Sequence, residues 1–159
     1  MKVLKKRIIA YAIDVSIIAS IITPLHLFLT KFFEGRILIQ IPLILLFFLR
    51  DPIFGNASIG KRLMGLRIYN SNWEKPGFFL LVKRSFSTMI FGGIIYDKAK
   101  RYDGNVLALF DYEREAFGTA VIETHIYKEL KPLAEKMKGD FAENMTKLYN
   151  ERLRNHYGN

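Results

Sequence analysis

IIAYAIDVSIIASIITPLHLFL, Ile8 to Leu29, decides how the rest of the chain is read: 22 residues with a single charge, Asp14. As a helix rising ~1.5 Å per residue it is about 33 Å long, enough to cross a hydrocarbon core of ~30 Å. Lys2, Lys5, Lys6 and Arg7 precede it. A cleaved secretion signal has the same outline, but here Asp14 interrupts the apolar region, no clean small-x-small cleavage site stands before Ser20 and the run continues to Leu29. The run therefore reads as a span that is retained. A carboxylate within a span costs about 2.5–3.5 kcal/mol on insertion scales, so Asp14 needs a partner, a cavity or an ion path. Arg7, seven residues earlier, projects from nearly the same helix face about 10 Å away along the axis.

Working outward, Ile37 to Leu49 is a second charge-free run of 13 residues, and continued through Arg50 and Asp51 to Phe54 it reaches 18. It spans if that charged pair sits at the membrane edge, where Arg50 would meet Asp14 at similar depth. Two helices apolar all round suit lipid better than water. A third run, Ser85 to Tyr96, has only 12 residues, which is re-entrant or interfacial length. Lys98, Lys100 and Arg101 argue against its crossing fully.

Half of the 159 residues are hydrophobic, the net charge is +9 and there is no cysteine. Disorder of most of the chain, disulfide scaffolds, thiolate zinc sites and thiol nucleophiles are thereby excluded. The basic residues lie at the edges of apolar runs and do not cluster in the tail, which argues for anionic lipid headgroups and against nucleic acid. By the excess of Lys and Arg on cytoplasmic loops, both ends of the first hairpin lie inside.

Leu63 to Tyr69 and Gly118 to Glu123 read as short strands, with Asn70-Ser71-Asn72 and Pro76-Gly77 as turns. From Pro132 the pattern becomes an amphipathic helix: Leu133, Met137, Phe141, Met145 and Leu148 recur at spacings of three and four. Asp140 and Glu143 form a capping pattern after Gly139, where the helix is expected to break. This apolar face needs covering, by the chain's own loop, a second copy or a partner.

Gly55-Asn56-Ala57-Ser58-Ile59-Gly60-Lys61 has the spacing of a phosphate-binding loop, and Val106 to Asp111 imitates an apolar strand ending in a magnesium-binding aspartate. Arg62 stands where that loop needs a hydroxyl, and no buried parallel strand precedes it. His26, His125 and His156 are scattered. No catalytic, metal or cofactor site is expected, and the chain does not read as an enzyme.

Arg7-x-x-Ala10-x-x-Ile13-Asp14, then Ser58-Ile59-Gly60-Lys61-Arg62-Leu63-Met64-Gly65-Leu66-Arg67-Ile68, then Glu115-Ala116-Phe117-Gly118-Thr119-Ala120-Val121, resemble in that order the RDD family of small membrane proteins, named for one arginine and two aspartates. Arg84 falls near the arginine before the family's third apolar region. The resemblance covers Arg7 to Glu123. It implies a membrane protein, with transport as the attached suggestion. One position departs: Arg114 stands where the second aspartate is expected, four residues before Gly118-Thr119, with Asp111, Glu113 and Glu115 nearby.

The expected fold is an α-helical integral membrane protein: a two-span hairpin, a third short re-entrant or spanning helix, a small cytosolic β-hairpin-like element and an amphipathic helical tail. Residues 1–123 form the RDD-like membrane domain and 124–159 the cytosolic tail. Arg7, Asp14, Arg50 and Asp51 are the intramembrane ion-pair or functional candidates. Gly60, Lys61, Arg62, Gly65 and Arg67 form a basic cytosolic loop, and Gly118 and Thr119 the Gly-Thr motif. The expected role is a multi-pass component of the plasma membrane, either translocating an ion through Asp14 as an oligomer or acting as a non-enzymatic scaffold for a cytosolic partner.

Overall fold

The computed structural model describes residues 3–29, 31, 36–88 and 106–157. Its elements run α1 (Val3–Leu29), α2 (Arg36–Ile53), α3 (Ile59–Leu63), β1 (Leu66–Asn70), α4 (78–88), α5 (Val106–Phe117), β2 (Thr119–Glu123), α6 (Thr124–Lys136) and α7 (Phe141–Tyr157). The chain is mostly helical.

Over Lys5–Phe28, α1 has a mean hydropathy of 2.0, and only 17% of its most apolar part is buried. A soluble core helix would be mostly covered, so this exposed apolar surface suits lipid. Among the described residues α1 is the helix long and apolar enough to cross a membrane. The 18 residues of α2 carry Arg36, Arg50 and Asp51, and Ile41, Leu45 and Leu46 are exposed on it. Of the third apolar run, 85–88 lie in α4, while 89–96, like Lys98, Lys100 and Arg101, are outside the described residues.

β1 and β2 pair antiparallel, Leu66 opposite Glu123 and Asn70 opposite Thr119. Both expected strands form, with one correction each to start and connection. β1 begins at Leu66 because Leu63 ends α3 and Gly65 (φ 68°) turns the chain. The pair is not a hairpin either, since α4 and α5 intervene in sequence. All five residues of β2 are buried, so both faces are covered. Ile68 and Val121 pack with Ala10 of α1 and Leu81 of α4. Tyr69, Ala120 and Ile122 face Trp73, Phe110 and the tail.

Trp73 is nearly sealed, its indole N–H donating to Thr146 at 3.0 Å. Its backbone has φ 62°, which costs a non-glycine residue roughly 1–2 kcal/mol. The Asn70 carboxamide holds that turn by accepting from Asn72 N–H at 3.0 Å and Glu74 N–H at 2.8 Å.

The tail departs from its expected start. β2 runs straight into α6 at Thr124, whose N–H donates to Gly65 C=O at 2.8 Å, so Pro132 lies inside the helix. The break near Gly139 does occur, and Asp140 accepts from Glu143 N–H at 2.9 Å as its cap. A stripe counted through that break loses its phase. Ile126, Leu130 and Ala134 are the buried face of α6, while Leu133 is 48% exposed. In α7 the buried residues include Met145, Tyr149 and Leu153. The tail thus completes the core over the sheet, and a boundary after Glu123 passes through that core.

Candidate functional site

Ser58, in extended backbone, caps α3 by accepting from Lys61 N–H at 3.4 Å. Two aspartates from the two apolar helices converge on it. Asp14 of α1 accepts from the Ser58 hydroxyl at 2.5 Å and from Gly60 N–H at 2.7 Å. Asp51, in the last turn of α2, accepts from Ser58 N–H at 2.8 Å and takes the Lys61 ammonium on both oxygens at 2.7 and 2.5 Å. Asp14, Asp51 and Ser58 are all buried. The approach depends on Gly60, where a Cβ would lie 2.0 Å from the Ala10 carbonyl oxygen.

The expected ion pair of Asp14 with Arg7 or Arg50 is not what this geometry gives. Among the described residues its partners are a hydroxyl and an amide. Arg7 shares a helix face with Asp14 but is displaced two turns toward β2, and the Arg50 guanidinium sits 5.3 Å over the Tyr11 ring. Nor is Lys61 available to headgroups, because Asp51 holds it. Arg62 lies 5.8 Å over the Phe54 ring and donates to the Phe54 carbonyl, and Arg67 is exposed on β1. Lys61 is thus committed in the phosphate-loop-like stretch, and Val106 to Asp111 opens helix α5, not a strand.

A second carboxylate centre, at the buried Glu113 of α5, gathers the elements on the other side of β2. It takes Arg7 of α1 at 3.1 Å, Arg84 of α4 at 2.6 Å and Val121 N–H at 3.1 Å. Arg7 also donates to Val121 C=O at 2.8 Å. Arg84 reaches Thr119 twice, at its carbonyl (3.0 Å) and its hydroxyl (2.9 Å), which is the role of the Gly-Thr pair; Gly118 makes the turn into β2 with φ 65°. Burial alone would raise the Glu113 carboxyl, but the charges of Arg7 and Arg84 with the Val121 amide hold it below the ordinary range. Lys6 pairs with Glu123 beside this centre.

Sequence reasoning left Glu113, Arg84 and Ser58 out of the site. Helix phase could have found Glu113: Phe110, Glu113 and Phe117, at spacings of three and four, are all buried, whereas Asp111 and Glu115 are exposed. Arg114 donates to the Thr146 hydroxyl at 3.1 Å instead.

No group of His, Cys, Asp or Glu among the described residues is arranged to hold a metal. A cleft of about 490 Å³ lined by Trp73, Tyr127, Lys131, Met137 and Phe141 includes neither carboxylate centre. The family model described as the RDD family matches residues 2–118 of the chain. No curated protein and no solved structure matches it.

Proposed function

This chain belongs to the RDD family, a family of membrane proteins, and on that premise we propose that it is a non-enzymatic, multi-pass component of the cytoplasmic membrane that holds a lobe of α3–α7 and the sheet against the bilayer. The observation that carries this reading is the convergence of Asp14 and Asp51 on Ser58, which ties the first half of α1 and the end of α2 to one loop of the lobe. Helices whose lobe-side ends meet in this way suit a two-span hairpin. The basic start of α1 favours the cytoplasm as the side on which the lobe lies.

Deuterium exchange on the full chain in nanodiscs tests the reading. Asn in place of Asp14 should raise exchange through 58–63 while the lipid-facing part of α1 stays protected; unchanged exchange at 58–63 would sink it. A buried carboxylate on a membrane helix also favours a second reading, an ion path through Asp14 assembled from several copies. Proteoliposomes separate the two: flux abolished by Asp14→Asn in a folded protein supports translocation, and its absence in wild type supports the scaffold.

A further inference from the structure

Six large apolar side chains outside α1 lie exposed where the apolar helices enter the lobe. Ile53 ends α2 and Phe54 follows it, Leu63 ends α3, Phe78 and Phe79 begin α4, and Phe86 follows two turns later; Phe79 is 87% exposed and Leu63 68%. Three contacts tie them into one neighbourhood. Arg62, beside Leu63, covers the Phe54 ring at 5.8 Å. The Lys75 side chain, three residues before Phe78, lies against Gly55. Phe86 meets Phe48 of α2 at 5.7 Å between ring centroids. On α4, Phe79, Val82, Lys83 and Phe86 share a face, while Leu81, Arg84 and Ser85 are buried behind it.

We infer that this rim is seated in the headgroup layer of an anionic bilayer, with α4 lying along the interface and Phe79 and Leu63 reaching the acyl boundary. Two features select lipid as the occupant. The rim continues through Phe48 and Phe86 into the exposed apolar surface of α2, where Ile41, Leu45 and Leu46 lie. Arg62, Lys75 and Lys83 are interleaved with the aromatic residues, as at a membrane surface, and the neighbouring acid Glu74 turns into the cleft with Tyr127 and Lys131. The inference rests on the membrane reading above, so its test must be able to fail separately.

The chain has no cysteine, so single labels are unambiguous. Nitroxides on Leu63→Cys, Phe79→Cys, Ile21→Cys as the α1 reference and Glu129→Cys as the lobe reference would be compared in vesicles of phosphatidylcholine with phosphatidylglycerol. Sites 63 and 79 should gain oxygen contact and lose contact with a water-soluble nickel chelate relative to 129. Their immersion should lessen in pure phosphatidylcholine. Lipid contact at 21 with water contact at 79 would overturn the seat while leaving the span intact. Shielding of 79 from both reagents would overturn it in favour of a second copy covering the rim, and immersion indifferent to lipid charge would overturn the anionic preference. Phe79 is exposed, so its replacement leaves the folded core untouched.

Discussion

Asp14 and Glu113 are both buried carboxylates, within about 5% exposure, yet they are held by opposite means. Asp14 rests on a hydroxyl and a backbone amide, while Glu113 is gripped by two guanidiniums and an amide. Among the described residues the first arrangement stabilises its negative charge by dipoles, and the second carries an excess of positive charge among the groups that touch. Removing the charge therefore has different consequences at the two centres. At Asp14 a neutral amide can keep part of the geometry. At Glu113 it strands the buried Arg84 and the part-buried Arg7 against each other.

Glu113→Gln is the severest way to strain this comparison. Breaking a buried pair by removing one partner costs about 3–5 kcal/mol, and here Arg7 and Arg84 both lose their counter-charge. Denaturation in detergent should show that loss, and a wild-type-like midpoint would mean that water already compensates the arginines. The pH dependence sharpens the point. The folded carboxyl is held below its ordinary value of 4.5, so its stabilisation is complete above that value and is lost as pH falls through the folded one. Melting followed downward from neutral pH should be flatter through that window in Glu113→Gln than in wild type.

Gly60→Ala ranks next. It sets a methyl group 2.0 Å from the Ala10 carbonyl, and overpacking of this kind costs about 1–3 kcal/mol as α3 backs away from α1. Proteolysis within 58–63 should accelerate; an unchanged cleavage pattern would show that the helices can part without loss. Asp14→Asn should cost less than Glu113→Gln, about 1–2 kcal/mol, because the amide oxygen can still accept from Ser58 or Gly60. Equal losses in the two variants, read from paired denaturation curves, would erase the distinction between the centres. The smallest effect belongs to Glu129→Gln, whose exposed pair with Arg152 should contribute under about 0.5 kcal/mol.

The asymmetry also explains what could be read in advance. Hydrophobic length exposes α1, and a lone charge in it singles out Asp14. Strand propensity with flanking turns finds β1 and β2, and Gly139 with Asp140 locates the break in the tail. What sequence does not carry is direction. Arg7 and Asp14 share a face seven residues apart, but which neighbour each one meets depends on where α3 and α5 dock. Ser58 looks like a turn residue until both apolar helices are brought to it. In the tail Gly139 resets the helix phase, so a stripe counted through it includes Leu133, which does not belong to the buried face.

The reach of the α1 contacts has a temporal consequence. Arg7 and Glu113 are 106 residues apart, and Lys6 and Glu123 are 117 apart. At a synthesis rate of ~5–20 residues per second, about 5–20 s pass between the emergence of the cations and that of their counter-ions. During that interval α1 can enter the bilayer while its basic end waits in water, which favours the orientation with that end retained. Closure of the late-made half on this waiting end then reports that synthesis has passed Glu123. A nascent chain released before Glu113 would lack the counter-ions of both Arg7 and Lys6, and one released between Glu113 and Glu123 would lack that of Lys6 alone.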